Sequence, residues 1–291
     1  LAATAIARER KHSERPLSVA IRHSRHDMAP TDLRDTAKAW LQAGRAATVV
    51  EVISHRGSVP RETGTRMLVA GDAVAGTIGG GHLEWQAIAH ARAGRREDWA
   101  VALGPSLGQC CGGALTLRFT PLSAELLAAW PPTSARFVLQ LHGAGHVGRA
   151  IVQMLAGIPC QVTWVDGRDA AFPPRLPPHV DARATDSPEA EVDAAAPGTL
   201  FLVLTHSHDL DLRITEAVLR RGDFGFLGLI GSATKRARFL RRFEARGIPP
   251  ERLARLTCPI GLPGIAGKEP AVIAVAVVAQ LLALASAAGG R

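Results

Sequence analysis

Residues 136–166 restrict the fold more than any other stretch of this chain. RFVLQLHGAGHVGRAIVQMLA, residues 136–156, reads as strand, glycine loop and helix in that order, with Gly143, Gly145 and Gly148 at the three glycine positions of GxGxxG. QVTWVDGR then gives a second strand that ends on Asp166, about twenty residues on, where a dinucleotide-binding βαβ unit carries its ribose-binding acid. A lone glycine pattern would be weak, but strand, loop, helix, strand and terminal acid together specify a Rossmann-like unit. His146 stands at the mouth of the helix, beside any ligand the loop would hold.

The alternation continues downstream. TLFLVLT, DLDLRITEAVLRRG, FGFLGLIG and SATKRARFLRRFEARG predict strand, helix, strand and helix, so the second half reads as a doubly wound parallel sheet. Ligands of such folds sit in the loops at the carboxyl ends of strands. Two of those loops are THSHDLD, residues 205–211, and IGSATKR, residues 230–236. His206 and His208 could ligate a metal or move protons, or they and Asp209 could cap the following helix. Ser232 sits in the second loop; Lys235 and Arg236 there either meet an anion or are solvated.

The first half opens with a helix capped by Thr31, whose apolar face carries Leu33, Ala37, Trp40 and Leu41, and which Gly44 ends. Strands around AATVVEVI and RMLVA follow, the opening of an α/β or α+β domain. GTIGGGHLEWQAIAHARAG, residues 76–94, places Gly79, Gly80 and Gly81 before a helix. Unpaired N–H groups and the helix dipole suit that place to a phosphate or carboxylate, although a tight turn would look the same. In GPSLGQCCGGALTLRF the adjacent Cys110 and Cys111 are too close for easy pairing with each other. An exposed thiol there could act as a thiolate, a soft metal ligand or a persulfide carrier; a buried, inert thiol is the alternative.

WPPTSAR marks a boundary near Trp130, which divides the chain into 28–130 and 131–291. Residues 1–27 hold six Arg or Lys and no apolar run of signal-peptide length. They read as a disordered or tag-like extension before Met28, or as a basic targeting arm. Four cysteines, without CxxC spacing, fit neither a disulfide framework nor a zinc site, and point to a reducing cytoplasm. The net charge of +8 raises nucleic acid as a partner, yet basic residues are scattered and Tyr is absent, so no stacking platform for bases is legible. The nearly uncharged run Pro270–Gly289 approaches membrane-spanning length, but it is dominated by Ala and carries Gln280, which predicts a buried helix between domains and no membrane span.

Taken in order, GTIGGGHLEW, GQCCGG, LHGAGHVGRA, VDGR, LTHSHDLDL, LGLIGSATKRARF and CPIGLPGIAGKEPAVIA resemble the signature segments of the XdhC/CoxI family, from about residue 33 to about residue 284. The resemblance implies an XdhC/CoxI-type domain followed by a Rossmann domain, in an assembly factor rather than a metabolic enzyme. It implies binding and protection of the molybdenum cofactor (Mo-molybdopterin), support of its sulfuration with a cysteine desulfurase, and insertion into the molybdenum-binding subunit of xanthine dehydrogenase. A homodimer is implied as well. On that reading Cys110 and Cys111 approach the metal, and the two glycine loops with His206, His208 and Lys235 contact pterin or phosphate. The rival from fold alone is an NAD-dependent oxidoreductase using GAGHVG and Asp166. A pure interaction protein that holds no cofactor is the third reading.

Overall fold

The computed structural model describes residues 32–104, 112–131 and 134–289. The first helix, α1 (Leu33–Gln42), is capped by Asp32, whose carboxylate accepts from the Arg34 N–H, and Gly44 follows its end with a positive φ of 64°. Thr31, the expected cap, lies outside the described residues.

Five strands then form an antiparallel sheet in the order β3 (Val74–Gly76), β2 (Arg66–Ala70), β1 (Ala47–Arg56), β5 (Ala114–Pro121), β4 (Trp99–Ala102). The first half is therefore of the α+β kind. Helix α2 (Gly81–Arg92) lays Leu83, Ala87 and Ala91 on the core of this sheet, formed with Val50, Met67 and Leu117. A short helix, α3 (Ala124–Ala129), leads to Trp130, which is buried with Ala37, Val49 and Leu68 on the other side.

From β6 (Val138–His142) onward the pattern is the expected parallel one. The second sheet has the order β11 (Leu256–Thr257), β10 (Phe226–Leu229), β9 (Leu200–Val203), β6, β7 (Gln161–Asp166), β8 (Val180–Ala184). That is a doubly wound order, with its reversal between β6 and β9. Helix α4 (His146–Leu155) covers one face; α5 (Pro188–Ala194), α6 (His208–Arg221) and α7 (Ala233–Ala245) lie with the other core, and α8 (Pro250–Leu253) precedes β11. Leu139, Leu141 and Trp164 are fully buried on the α4 side, each Leu contributing about 1.5–3 kcal/mol by burial.

The last helix, α9 (Pro270–Gly289), corrects an expectation. It packs on α4, adding Ala274, Val277, Val278 and Leu281 to that core, and so rests on one face of the second sheet rather than between domains. Only 28% of its most apolar window is buried, although by length and composition it could cross a membrane.

Candidate functional site

The two glycine loops differ in what occupies them. In the first, Gly79, Gly80 and Gly81 all have positive φ, and a Cβ on Gly79 would lie 2.6 Å from the Pro60 side chain. Three donors before the helix are spent internally: Glu84 Oε2 accepts from the Thr77 hydroxyl at 2.5 Å, the Ile78 N–H at 3.0 Å and the Gly80 N–H at 3.1 Å. An incoming phosphate would meet that carboxylate, so the expected anion seat is filled by the chain itself. Ser58 and Pro60 bring this loop beside Gly113, so the glycines that follow the cysteine pair stand at the same end of the first sheet. Cys110 and Cys111 themselves, and with them the expected metal contact, lie outside the described residues.

The second loop is built around close backbone approach. A Cβ on Gly148 would stand 2.1 Å from the Gly143 carbonyl, and one on Gly143 would stand 2.4 Å from that of Leu204. The Trp164 indole N–H donates to the Gly143 carbonyl at 3.0 Å and fixes the turn from below. No side chain caps α4 at Gly145, so its first-turn N–H groups face outward, next to the exposed His146. Here a cavity of about 420 Å³ opens, lined by Gly145, His146, Arg149 and Arg168 among others. The uncapped helix N-terminus makes this a candidate anion seat, flanked by Arg149, whose guanidinium donates to the Ala171 carbonyl, and by Arg168, which is paired with Asp166.

Asp166 ends β7 as expected, but its carboxylate is committed. It accepts from the Ala144 N–H at 2.7 Å, the Arg168 N–H at 3.0 Å and the Arg168 guanidinium at 2.9 and 3.0 Å. Burial works to raise its pKa, and the Arg168 side chain with the two backbone donors outweighs that and holds it below the usual carboxylate value. The acid thus pins the glycine loop to the end of β7 rather than presenting free oxygens to a ribose.

Further along the same edge, the loops after β9 and β10 meet around a cavity of about 320 Å³ that touches His206, His208, Ser232 and Lys235. Ser207 caps α6 and Ser232 caps α7, accepting from Leu210 N–H and Lys235 N–H, so neither histidine nor Asp209 is the cap. Lys235 is not solvated: its ammonium donates to Asp211 Oδ2 at 2.6 Å and to the Ile230 carbonyl at 2.8 Å. Asp211, 1% exposed, also accepts from the Thr205 N–H and hydroxyl, which ties the two loops together. Removing one member of this buried pair would leave the other charge stranded, at about 3–5 kcal/mol.

The structure therefore brings Gly145, His146, Asp166, His206, His208, Ser232 and Lys235 to cavities at one edge, the carboxyl ends of the parallel sheet, while Gly143 and Gly148 stand in and behind the turn after β6 and line none of them. Gly79–Gly81 line none of these three cavities. A larger cavity of about 470 Å³, touching Asp35, Cys160 and His179, opens at the opposite, amino edge, which is not where parallel α/β sheets place ligands. Burial raises the Cys160 thiol to about 11, which leaves it protonated and inert at neutral pH. Among the described residues no group of three or more His, Cys, Asp or Glu is placed to hold a metal ion.

A family model described as the XdhC Rossmann domain matches residues 139–281, and one described as the XdhC and CoxI family matches residues 40–100. The chain belongs to the XdhC and CoxI family. Among relatives, the uncharacterized protein YqeB of Escherichia coli (strain K12) is 29% identical over 256 residues, which is 83% of this chain and 44% of that protein. The chain thus spans less than half of that relative's length. A solved structure of a xanthine dehydrogenase from Bacillus halodurans superposes with a TM-score of 0.71 at 17% identity, covering 88% of this chain and 96% of the other. At that identity the likeness is one of fold. Within the family's two regions, sequence reasoning missed Arg149, Arg168 and Asp211. The first two were legible inside the quoted GHVGRA and VDGR segments, whereas Asp211 shows its role only once α6 and α7 are packed.

Proposed function

We propose that this chain is an accessory protein of xanthine dehydrogenase maturation that holds the molybdenum cofactor and hands it to the enzyme's molybdenum-binding subunit. The observation that carries the reading is the open N-terminus of α4, flanked by Arg149 and Arg168 over a cavity of about 420 Å³, in a chain of the XdhC and CoxI family. That seat suits the cofactor's terminal phosphate: backbone N–H groups donate, and Arg149 and Arg168, held by the Ala171 carbonyl and the Asp166 carboxylate, have only their remaining guanidinium N–H groups to offer. The pterin would extend along the carboxyl edge toward His206, His208 and Ser232. The cofactor itself supplies the redox-active metal for the recipient enzyme; this chain's residues bind, orient and shield it.

Cys110 and Cys111 are proposed as the groups that approach the molybdenum or relay sulfur from a cysteine desulfurase, since thiolates are the ligands soft enough for that metal. A second copy of the chain is the proposed assembly. The NAD-dependent alternative loses its main support because the Asp166 carboxylate is engaged by Arg168 and Ala144.

The test is anaerobic incubation of the full chain with molybdenum cofactor, removal of unbound material and quantitation of retained pterin as its oxidised fluorescent derivative, with NAD as competitor. Near-stoichiometric retention that NAD does not displace, and that falls in Cys110→Ala or Cys111→Ala, is the expected result. NAD binding without pterin retention would overturn the reading.

A further inference from the structure

Helix α7 turns Lys235, Phe239 and Phe243 inward, where all three are buried. At 3.6 residues per turn its opposite side then carries Thr234, Ala237, Arg238, Arg241, Arg242 and Ala245, all of them exposed. Arg241 and Arg242 stand three and four residues after Arg238, spacings at which side chains on a helix surface are neighbours, with Cβ atoms about 5–6 Å apart. Three guanidinium groups thus share one outward stripe. The arginines of the neighbouring helix α6 are each matched by a carboxylate: Arg213 by Glu189, Arg220 by Glu216 and Arg221 by Asp223. The α7 stripe has no such match. Among the described residues no carboxylate, Glu244 of α7 included, lies within ion-pair distance of Arg238, Arg241 or Arg242. Like charges at these spacings destabilise a helix, and nothing in the described fold offsets that.

The residues beside the arginines decide what can lie on the stripe. Thr234, Ala237 and Ala245 are small, so another helix can come close, and among the described residues no exposed aromatic or large aliphatic side chain stands on α7. Bases would find no ring to stack on, and a bilayer would find no apolar face to take up. An arginine fork matches a carboxylate through two parallel N–H···O bonds, so three forks along one helix face match a row of carboxylates on a facing helix. We propose that the outer face of α7 is a docking surface for an acidic helix of a partner protein. The stripe leads away from Ser232 and Lys235, which wall the cavity of about 320 Å³, so a partner seated on it stands beside the mouth of the carboxyl-edge site. This docking chemistry does not depend on which cargo the site holds.

The experiment follows the fluorescence anisotropy of a labelled synthetic helical peptide, with Glu at i, i+3 and i+4 along one face, as the full chain is added. A labelled single-stranded oligonucleotide is titrated in parallel. Wild type is compared with the triple variant Arg238→Gln, Arg241→Gln, Arg242→Gln, and with Arg61→Gln, Arg96→Gln, Arg175→Gln, which removes the same charge from exposed, scattered positions. The expected result is peptide binding that weakens about tenfold or more in the α7 variant, stays within about twofold of wild type in the scattered variant, and exceeds binding of the oligonucleotide. The α7 variant should melt at or above the wild-type temperature, because the repulsion along the stripe is gone, so its lost binding is not lost fold. Absence of peptide binding by wild type, or equal weakening in both variants, would overturn the inference and leave the stripe a solvated face. Tighter binding of the oligonucleotide, lost in the α7 variant, would overturn it in favour of a nucleic-acid surface.

Discussion

The loops at Gly79–Gly81 and Gly143–Gly148 look alike as sequence and differ as chemistry. Both feed a helix, and both helices start without a side chain capping the glycine that precedes them. Four residues after that glycine, α2 carries Glu84 and α4 carries Arg149. Glu84 folds back and takes the loop's own donors, whereas the Arg149 guanidinium turns to the Ala171 carbonyl and leaves the α4 N-terminus open. Glycine spacing decides that a backbone can approach a ligand. The sign of one side chain in the first turn decides whether an anion is wanted there.

The largest expected effect separates the loops sterically. Gly148→Ala places a Cβ 2.1 Å from the Gly143 carbonyl, whereas a Cβ on Gly80 would meet nothing within 4 Å. Gly148→Ala should cost about 3 kcal/mol by overpacking, and Gly80→Ala about 1 kcal/mol for its positive φ alone. Denaturant unfolding of both variants checks this, and equal losses would mean that the second loop is not tightly built.

Next comes pH. The His142 pKa lies near 3 in the folded chain against 6.5 unfolded, so the unfolded state binds the extra proton between those values. Stability should therefore be unaffected by this group above pH 6.5 and should fall by up to about 1.4 kcal/mol per pH unit on acidification below it. In His142→Leu that part of the slope should vanish. Asp166, with its lowered pKa, adds stability that is present above the normal carboxylate range and lost as pH falls through its folded value.

Asp166→Ala should cost about 2 kcal/mol, because it leaves the Ala144 N–H and the Arg168 side chain without their acceptor. A loss this size in melting experiments without any ligand would mark Asp166 as the clamp of the second loop; no loss would return it to a ligand-reading role. The smallest effect is in the first loop. Glu84→Gln keeps an acceptor but removes the charge, so it should cost about 1 kcal/mol and make the first loop responsive to added phosphate.

Much of this was legible in the sequence. Strand and helix periods placed β6, α4, β7, β9, α6, β10 and α7 but not β8 or α5, and GxGxxG with a terminal acid gave the parallel sheet, because these signals are local. What was not legible depends on elements meeting. Lys235 finds Asp211 only when α6 and α7 lie side by side, and α9 covers α4 rather than a domain junction because its buried face is set by a partner far earlier in the chain, α4 ending at Leu155 and α9 beginning at Pro270. Glu84 lies between these cases: the reach from the fourth residue of a helix back to its glycine loop is a local pattern, but which donors it takes follows from the turn at Thr77–Gly80. Nor does the sequence show that Gln140 in β6 donates to the Glu191 carbonyl of α5 and thereby turns its Oε1 toward His142 Nε2.

On the proposed function the second loop, and not the first, seats the anionic end of the cargo. The most direct test is anaerobic cofactor retention by wild type, Arg149→Glu and Glu84→Gln, each measured as bound pterin per chain. Arg149→Glu gives α4 the residue that closes the first loop, so retention should fall about tenfold or more, while Glu84→Gln should retain as wild type does. Retention that survives Arg149→Glu and falls in Glu84→Gln would contradict the account and move the anion seat to the first sheet.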